Sequence, residues 1–436
     1  MSGTNPHPPT PSGLPVLGNT AGFVRDPFGF VRESVKTTGD AFRMRLLGKD
    51  VYVLGHPDLV ESALLDRDSF AKLDDFTLAF GDALLAVHGD QWRRQRHAME
   101  EFFSPTRIAD HADAMTAIAE SRIDRWGATE TVRVDEEMRA IALENLFEVV
   151  LGHSLPDEEL TELAEVANTL NLWFKPSSWV LPEWMPTPAR RKFRRGSAEL
   201  RARSQELLSD GRKAPTEDSL LARLAALRDD PDSGFDESEI LDQVVGMVFA
   251  GHETTALSMT YALHQIGSHP KVAERVYTEL DDVIDGSPSV SDLQDLEYLD
   301  RVLNETFRLY PPVHAIPRVT TEQTTVGGYT IPADAPVLLS VWSLHRDPRF
   351  WDDPLEFDPS RWEDAGPRER GYTFVPFGAG PRICIGRHFA RLEAKATLAT
   401  VGRKYRIEAL GDLAVSPKMT TQPTEPVCIR FSRHPD

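Results

Sequence analysis

FGAGPRICIG, residues 377–386, is the stretch that decides the fold of this chain. It places one cysteine, Cys384, after two glycines and just before a helix that we predict to begin near Gly386. Glycines let the backbone turn tightly and approach a flat ligand, and the following helix presents amide hydrogens and the positive end of its dipole to the sulfur. Both features favour thiolate over thiol. An isolated cysteine is most often a buried structural thiol, so it is these neighbours that indicate a ligand role for Cys384.

A second informative stretch is long and free of proline. From Asp236 the pattern DESE resembles a helix capping box, and the run ILDQVVGMVFAGHETTALSMTYALHQIGSH continues from it for about thirty residues. It predicts one long, largely buried helix. In its middle, apolar residues give way to GHETT, residues 251–255, where Thr254 can bond the carbonyl of Ala250 and open the helix locally. This conflict indicates either a functional site or a plain helix kink with a polar pair.

Composition and charge exclude several classes of protein. Hydrophobic residues make up 41% of the 436 residues and charged residues 27%, as in an ordinary soluble globular enzyme. The net charge of -20 repels phosphate backbones, so we expect no nucleic-acid partner. Of the 48 basic residues only 10 are lysine, and this acidic, lysine-poor balance leads to the hypothesis of a high-salt habitat.

The cysteine count and the N-terminus bear on the location of the protein. Cys384 and Cys428 are too few for a disulfide framework or a four-thiolate metal site, which fits a reducing compartment. The first twenty residues contain neither the apolar core of a signal peptide nor an apolar stretch long enough to span a bilayer. We therefore expect a cytoplasmic protein without a transmembrane anchor.

The rest of the chain has the pattern of helices with a few short strands. Prolines make residues 1–20 an extended segment, and AFRMRLLG and VYVLGHP, which follow it, form a hairpin pattern. Residues 57–268 carry apolar side chains at helical spacing, whereas VTTEQ, TVGGYTIP and APVLLSV after Pro311 are typical of strands and lead to an irregular stretch ending near Gly371. We predict a mainly α fold with small segregated β-sheets (α+β), and a single catalytic domain over residues 21–436.

The cysteine stretch resembles the haem-binding signature of the cytochrome P450 family, F-x-x-G-x-R-x-C-x-G, with Phe377, Gly380, Arg382, Cys384 and Gly386 all in place. The resemblance implies the cytochrome P450 fold around a buried haem b, iron protoporphyrin IX. It also implies that Cys384 is the proximal ligand of the metal, that Phe377 packs against its sulfur, and that Arg382 pairs with a haem propionate.

AGHETT, residues 250–255, matches the oxygen-activation motif of the same family. The resemblance implies that Thr254 holds dioxygen and an accompanying water. It implies that Glu253 relays protons, so that oxygen–oxygen cleavage outcompetes the release of peroxide. It leaves His252 out of contact with the site.

Further residues match propionate contacts of the family. Trp92 and Arg96 lie four residues apart on a predicted helix, can point at one anion, and match its W-x-x-x-R motif. Arg318, in AIPRVT, occupies the position of another propionate arginine. An arginine cluster alone would more often be a salt-bridged surface, so these roles depend on the resemblance.

A last motif is structural. Glu305 and Arg308, in NETFRLYPP, lie one turn apart on a predicted helix, and Arg361 follows in FDPSRW. They resemble the family's ExxR motif and its meander arginine. The resemblance implies a buried charge network that fixes the irregular stretch under the haem loop.

An apolar segment indicates where a substrate could bind. LNLWFKPSSWVLPEWMPTP carries Trp173, Phe174, Trp179, Val180, Leu181, Trp184 and Met185 between two predicted helices. By resemblance this segment covers the substrate channel and favours a fatty acid, terpenoid or carotenoid, although plain core packing is an equal alternative. The resemblance adds pocket-lining positions, which are Phe76, Phe80, Leu84, Leu85, Val313, Ala315 and Ile316.

The resemblance implies a monooxygenase that inserts one atom of dioxygen into a lipophilic small molecule. No reductase domain is fused to the motifs, so we expect electrons from a separate ferredoxin or flavodoxin with its reductase. This acidic carrier is expected to dock on a basic patch at the thiolate side, formed by Arg93, Arg94, His97, Arg387, His388 and Arg391. A peroxide-driven peroxygenase and a non-catalytic haem sensor are the alternatives.

Overall fold

Helices make up most of the molecule, as the apolar spacing of residues 57–268 predicts. The computed structural model describes residues 6–173, 185–210 and 219–434. The helices of the first half of the chain are α1 (Thr20–Arg25), α2 (Pro27–Thr38), α3 (Pro57–Leu65), α4 (Asp74–Phe80), α5 (Gly89–Glu100), α6 (Pro105–Ala109), α7 (Ala112–Ile123), α8 (Val134–Asn145) and α9 (Asp157–Asn168). Those that follow are α10 (Pro188–Asp210), α11 (Leu220–Asp229), α12 (Glu237–Ser268), α13 (Pro270–Val283), α14 (Val290–Asp295), α15 (Glu297–Leu309), α16 (Val341–Leu344) and α17 (Arg387–Lys404).

Short strands form several small sheets. They are β1 (Ala41–Leu46), β2 (Lys49–Leu54), β3 (Phe70–Ala71), β4 (Thr129–Arg133), β5 (Ile316–Thr320), β6 (Thr324–Val326), β7 (Tyr329–Ile331), β8 (Pro336–Leu339), β9 (Tyr405–Leu410), β10 (Val415–Pro417), β11 (Thr421–Pro423) and β12 (Cys428–Arg433). The largest sheet has the order β1-β2-β8-β5-β3, with β2 and β8 parallel, and a second has the order β4-β12-β9. The described residues also contain the two-stranded pairs β6-β7 and β10-β11.

Helix α12 lies at the centre of the core. It packs against α8, α15 and α17 and is buried over most of its length. The Asp236 carboxylate caps its first turn by accepting a hydrogen bond from the Glu239 amide (2.7 Å). Gly251 lets α12 approach the π-helical turn Leu146–Leu151 closely, because a Cβ at this position would lie 2.9 Å from Leu146 Cδ1.

A buried charge network ties α15 to the irregular stretch that precedes the cysteine. Glu305 and Arg308 are fully buried and paired through two hydrogen bonds of 2.9 and 2.7 Å. Arg361 donates to the same Glu305 carboxylate (2.9 Å), and Arg308 also donates to backbone carbonyls between residues 345 and 356. Removing one partner would leave a buried charge without its counterion. The predicted network is therefore confirmed as a clamp on this stretch.

The expected fold class, mainly α with small separate sheets, is confirmed, and so is the β1–β2 hairpin. The strand expected at VTTEQ begins earlier, at Ile316, because β5 pairs with β8 from Ile316 onward. Strand β4 was not predicted, since Val132 is its only buried residue and its pairing partner β12 lies at the far end of the chain.

Residues 6–13 contain neither helix nor strand. Within the described ranges no helix is long and apolar enough to cross a membrane.

Candidate active site around Cys384

A cavity of about 360 Å³ surrounds Cys384. Helix α12 forms one wall of this cavity, and residues 376–386, here called the cysteine loop, form another. Helix α5, the start of α17 and strand β5 also contribute to the lining. The cavity brings together most of the predicted site residues, which are Trp92, Arg96, Thr254, Arg318, Phe377, Arg382 and Cys384.

Two glycines shape the cysteine loop. Gly378 and Gly380 have φ angles of 69° and 67°, a region that residues with a Cβ rarely adopt. The resulting turn lets the Cys384 amide donate to the Phe377 carbonyl (2.9 Å). The Phe377 ring packs edge-on against Phe307, with ring centroids 5.1 Å apart. Helix α17 begins directly after the loop, as the sequence predicts.

The Cys384 side chain is enclosed by protein yet accessible, because it lines the cavity. Burial raises the pKa of the thiol, while a hydrogen bond from the Gly386 amide and the charges of Arg96 and Arg387 lower it. The Gly386 amide at the start of the helix therefore acts on the thiol in the expected direction, although desolvation in the protein alone is the larger effect. Coordination to a metal ion would reverse the balance, since it deprotonates a thiol.

Four cationic side chains converge on the same cavity, namely Lys72, Arg96, Arg318 and Arg382. In the described parts of the chain, no carboxylate lies within salt-bridge distance of Lys72, Arg318 or Arg382, and Arg96 approaches Glu100 only to 3.9 Å. Burial, with the charge of Arg382, lowers the pKa of Arg318 to about 10. Burial and the three neighbouring arginines hold the pKa of Lys72 well below its usual value. Among the described residues, the only carboxylate within salt-bridge distance of the cluster is that of Glu100, at the edge of that distance from Arg96.

This cluster fits the two carboxylates of a haem. Buried cations without partners are unfavourable, and Arg382 Nε is buried without a hydrogen-bond acceptor. Ligand carboxylates would supply both charge and acceptors, while the cysteine sulfur is a donor that iron accepts. Lys72 was not predicted, because it belongs to no motif and only its spatial proximity to Arg318 and Arg382 identifies it.

Trp92 and Arg96 both face the cavity from α5, as their spacing predicts. Trp92 is buried, and the Arg67 guanidinium lies 5.9 Å from the centroid of its ring. Arg96 donates to the Ile383 carbonyl (2.8 Å). This bond holds α5 against the cysteine loop.

Thr254 lines the cavity from the middle of α12. Its hydroxyl donates to the Ala250 carbonyl (2.9 Å), as predicted for a threonine in this position. His252 is fully buried, and its ring is hydrogen-bonded to the Val248 carbonyl rather than directed into the cavity. The expectation that His252 stays out of contact is confirmed for the cavity lining.

Glu253 is not part of the cavity wall. Its carboxylate is fully buried and accepts hydrogen bonds from Gln422 (2.6 Å) and Asn171 (3.3 Å). Successive residues on a helix are about 100° apart around its axis, so Glu253 and Thr254 must point in different directions. The structure therefore separates the two residues that the motif pairs.

A second cavity of about 250 Å³, here called the chamber, continues from the first. Residues lining both cavities are Phe76, Leu85, Ala250, Thr254, Val313 and Pro317. Most other residues of the chamber wall are apolar, among them Phe23, Phe28, Val31, Phe249, Trp342 and Met419. Such a wall suits a lipophilic molecule.

Most of the expected pocket residues line one of these cavities, namely Phe76, Leu84, Leu85, Val313, Ala315 and Ile316. The expectation is wrong for Phe80, which is fully buried behind the wall and packs on Phe249 with centroids 5.0 Å apart. In the apolar segment, Phe174, Trp179, Val180, Leu181 and Trp184 lie outside the described residues. Trp173 packs against Phe193 with centroids 5.1 Å apart, and neither Trp173 nor Met185 is in the described lining.

The predicted basic patch is only partly available to a partner. Arg94 binds the buried Glu239 carboxylate (2.6 and 2.7 Å), and Arg391 binds Asp300 (2.9 Å). Arg93 is exposed and, among the described residues, pairs only with the neighbouring surface acid Asp90. Charge reversal at Arg94 would break an internal ion pair, so Arg93 is the better position at which to test docking.

Comparisons with known proteins agree with this geometry. The family model described as Cytochrome P450 matches residues 8–430. The chain is 34% identical to cyclooctat-9-en-7-ol 5-monooxygenase of Streptomyces melanosporofaciens, over 91% of this chain and 88% of the relative. It is 32% identical to pentalenene oxygenase of Streptomyces avermitilis, over 93% and 92% of the two chains. The solved structure of retinoic acid bound cyanobacterial CYP120A1 matches with a TM-score of 0.87 and 25% identity, over 99% of this chain and 100% of that one.

Proposed function

The chain belongs to the cytochrome P450 family, and from this premise we propose that it oxidises a terpenoid, with Cys384 as the thiolate ligand of the haem iron. As a member of this family it is a monooxygenase, which inserts one atom of dioxygen into a lipophilic small molecule with electrons from a separate redox partner. One observation carries the assignment of the site. A lone thiol and four convergent cations share one cavity that opens into an apolar chamber.

When bound, the haem supplies the activation of dioxygen and the transfer of one of its atoms to the substrate. Haem b suits this site because its propionates would meet the four cations described above. Charge-assisted hydrogen bonds of this kind are about twice as strong as neutral ones. Trp92 would contact a propionate beside Arg96, and Phe377 would pack against the Cys384 sulfur.

The surroundings of Cys384 control how strongly its sulfur would donate electron density to the haem iron. The Gly386 amide and the charges of Arg96 and Arg387 favour the anionic sulfur, and hydrogen bonds to a ligand atom tune its basicity. Because burial raises the pKa of the free thiol, the proton has to leave when the metal binds. We therefore expect haem incorporation to release a proton.

Thr254 and Glu253 would take different roles in proton delivery. The Thr254 hydroxyl donates to the Ala250 carbonyl, so its oxygen is left to accept a hydrogen bond from a water in the cavity. The Glu253 carboxylate faces Gln422 and Asn171 instead. It could pass protons to the cavity only through an intervening group or water.

The chamber supports the choice of a terpenoid. Phe28, Phe249 and Trp342 present rigid apolar surface, which fits a hydrocarbon with few polar groups. Two relatives that align over nearly their whole length are named for action on cyclooctat-9-en-7-ol and on pentalenene, which are molecules of this class. A terpenoid therefore agrees with both the wall and the relatives.

Substrate class is tested by titrating the ferric protein and recording the spin state of the iron, which changes when a substrate displaces water. Pentalenene and cyclooctat-9-en-7-ol serve as terpenoid probes and palmitate as a straight-chain probe. We expect saturable shifts with at least one terpenoid and none with palmitate. A shift with palmitate alone would overturn the proposal.

We further propose that a ferredoxin or flavodoxin docks beside the cysteine loop. Helix α5 is fastened to that loop through Arg96 and exposes Arg93 nearby. Arg93→Glu should slow reduction by ferredoxin severalfold in dilute buffer, and the effect should fade by about 0.5 M salt, while the haem spectrum stays unchanged. Arg430→Glu, in a surface pair with Glu408, is the matched control. Equal reduction rates for the two variants would contradict the proposal that the carrier docks at Arg93.

The acidic surface fits a protein adapted to concentrated salt, which we also propose. A net charge of -20 repels itself across the surface, and this repulsion is strongest in dilute buffer. The urea midpoint should therefore rise between dilute buffer and about 2 M potassium chloride. A urea midpoint that does not change with salt would contradict this hypothesis.

A further inference from the structure

Glu253 is held by the same hairpin that forms part of the chamber wall. Strands β10 and β11 pair antiparallel, and the turn between them, with the end of β10, lines the chamber through residues 417–420. Gln422, in β11, is 3% exposed. Its amide nitrogen donates to Glu253 Oε1 (2.6 Å) and to Thr420 Oγ1 (2.7 Å). A single side chain thus connects the chamber wall to the buried carboxylate.

The hairpin depends on such attachments. A two-stranded hairpin is marginally stable in water, and within the described residues β10 and β11 pair only with each other. Tyr261 donates to the Thr421 carbonyl (2.5 Å), and the Thr421 hydroxyl donates to the Pro311 carbonyl (2.6 Å). The bond from Gln422 to Glu253 differs from these because its acceptor is a carboxylate, and hydrogen bonds to charged groups are the stronger kind.

Glu253 receives its partners from three separate elements. Gln422 comes from the hairpin, Asn171 from the 3-10 turn Thr169–Leu172, and Arg139 approaches from α8 to 3.9 Å. In the described part of the chain, the other titratable groups near this cluster are Asp135, His252, Tyr261 and, beyond Tyr261, Tyr310. The bond from Gln422 is the shortest of the three contacts. Its loss would therefore remove one of the hydrogen bonds that join the hairpin to α12, leaving that of Tyr261, and would leave Glu253 Oε1 with only the distant Arg139 beside it.

We propose that Gln422 is a positioning residue that couples the chamber to Glu253. It holds the hairpin turn and the carboxylate in one geometry, so a molecule pressing on Thr420 in the chamber changes the hydrogen bonding of Glu253. The part of Glu253 in proton delivery rests on the proposed function. The mechanical link between Gln422, Glu253 and the hairpin does not.

The link is tested in haem-loaded protein with Gln422→Leu, Glu253→Gln and the double variant. Hydrogen exchange of the amides of residues 415–424 reports the hairpin, and the dissociation constant of 4-phenylimidazole, whose nitrogen binds the iron, reports the chamber. Gln422→Leu should speed exchange of the hairpin and weaken 4-phenylimidazole each by about tenfold. Adding Glu253→Gln should change neither further, because the bond that it weakens is already absent.

Two further variants keep this test specific. Thr424→Val removes a hydroxyl that donates to the Ala414 carbonyl (3.3 Å) at the exposed end of the same hairpin, and should leave both readouts unchanged. Gln422→Glu keeps the shape but brings two carboxyls together, which can share one proton but repel when both are ionised. After division by intrinsic exchange rates, its hairpin should be protected as in the wild type at about pH 5 and loosened at about pH 9.

Additive effects in the double variant, or a Gln422→Glu hairpin whose protection does not change with pH, would overturn the coupling. Peroxide release during turnover is measured in parallel on Gln422→Leu. If the exchange results hold but peroxide release equals that of the wild type, the link stands and the proton-delivery role of Glu253 fails. The two ideas are thereby distinguished.

Discussion

Replacing Arg318 by methionine should loosen the haem and, in the haem-free protein, raise stability. Arg318 lines the cavity, is 7% exposed and has no carboxylate partner among the described residues. Its guanidinium donates to the Pro317 carbonyl (2.8 Å). Methionine keeps much of the side-chain length and removes only the charge and its donors.

The magnitude follows from the burial of the charge. Burial and the neighbouring Arg382 lower the pKa of Arg318 from its usual value to about 10. Keeping the side chain charged at neutral pH therefore costs about 3 kcal/mol of unfolding free energy when no anion is bound. Because the folded-state pKa is the lower one, this cost is present below it and is relieved as the pH rises through it. Propionates would offset the cost with charge-assisted hydrogen bonds worth about 1.5–3 kcal/mol.

Two measurements check this prediction. Haem transfer to apomyoglobin should be about 10- to 150-fold faster from Arg318→Met than from the wild type, and the urea midpoint of the haem-free variant should be higher. Arg430→Met removes an exposed arginine of β12 and should change neither quantity. The reasoning is refuted if the variant keeps its haem as long as the wild type does, or if its haem-free form is less stable.

Other substitutions test separate parts of the molecule. Glu305→Gln should lower the unfolding free energy by about 3–5 kcal/mol in urea titrations, because it leaves two buried arginines without their carboxylate; an unchanged midpoint would contradict the network. Thr254→Val should preserve the carbon monoxide spectrum and raise severalfold the fraction of electrons lost as peroxide. An unchanged fraction would show that Thr254 has no role in oxygen activation. Asp157→Asn should lower stability at neutral pH, because a hydrogen bond from Arg125 lowers the pKa of Asp157 and this stabilisation is lost as the pH falls through the folded-state value. A difference from the wild type that persists at about pH 2 would contradict this.

Motifs with strict local spacing were predictable because covalent geometry fixes them. Glu305 and Arg308 share a helical face at any i, i+3 spacing, and the helix after Cys384 follows from the local pattern around Gly386. The long helix from Asp236 followed from its cap and from the absence of proline. In each case the deciding residues lie within a few positions of one another.

Features that depend on distant residues were not predictable in the same way. Lys72 joins the cation cluster only because β3 pairs with β5, which places it near Arg318. Gln422 contacts Glu253 across 169 positions of sequence. The separation of Glu253 from Thr254, by contrast, follows from helix geometry and could have been predicted.

The direction of the pKa shift of the Cys384 thiol could not be predicted for a different reason. The sequence displays the helix start at Gly386 and the glycines, which favour the anion, but it does not display the depth of Cys384. Burial raises the pKa of this thiol more than those features lower it. Desolvation is a property of the packed molecule, so its size could not be judged from local sequence.

The ligation of the haem iron by Cys384 is tested most directly by the absorption spectrum of the reduced, carbon monoxide-bound protein. We expect the strongly red-shifted Soret band that thiolate ligation produces, its loss in Cys384→Ala, and its retention in Cys428→Ala, which removes the other cysteine. A reduced carbon monoxide complex without that band, or a Cys384→Ala variant that keeps it, would contradict the assignment.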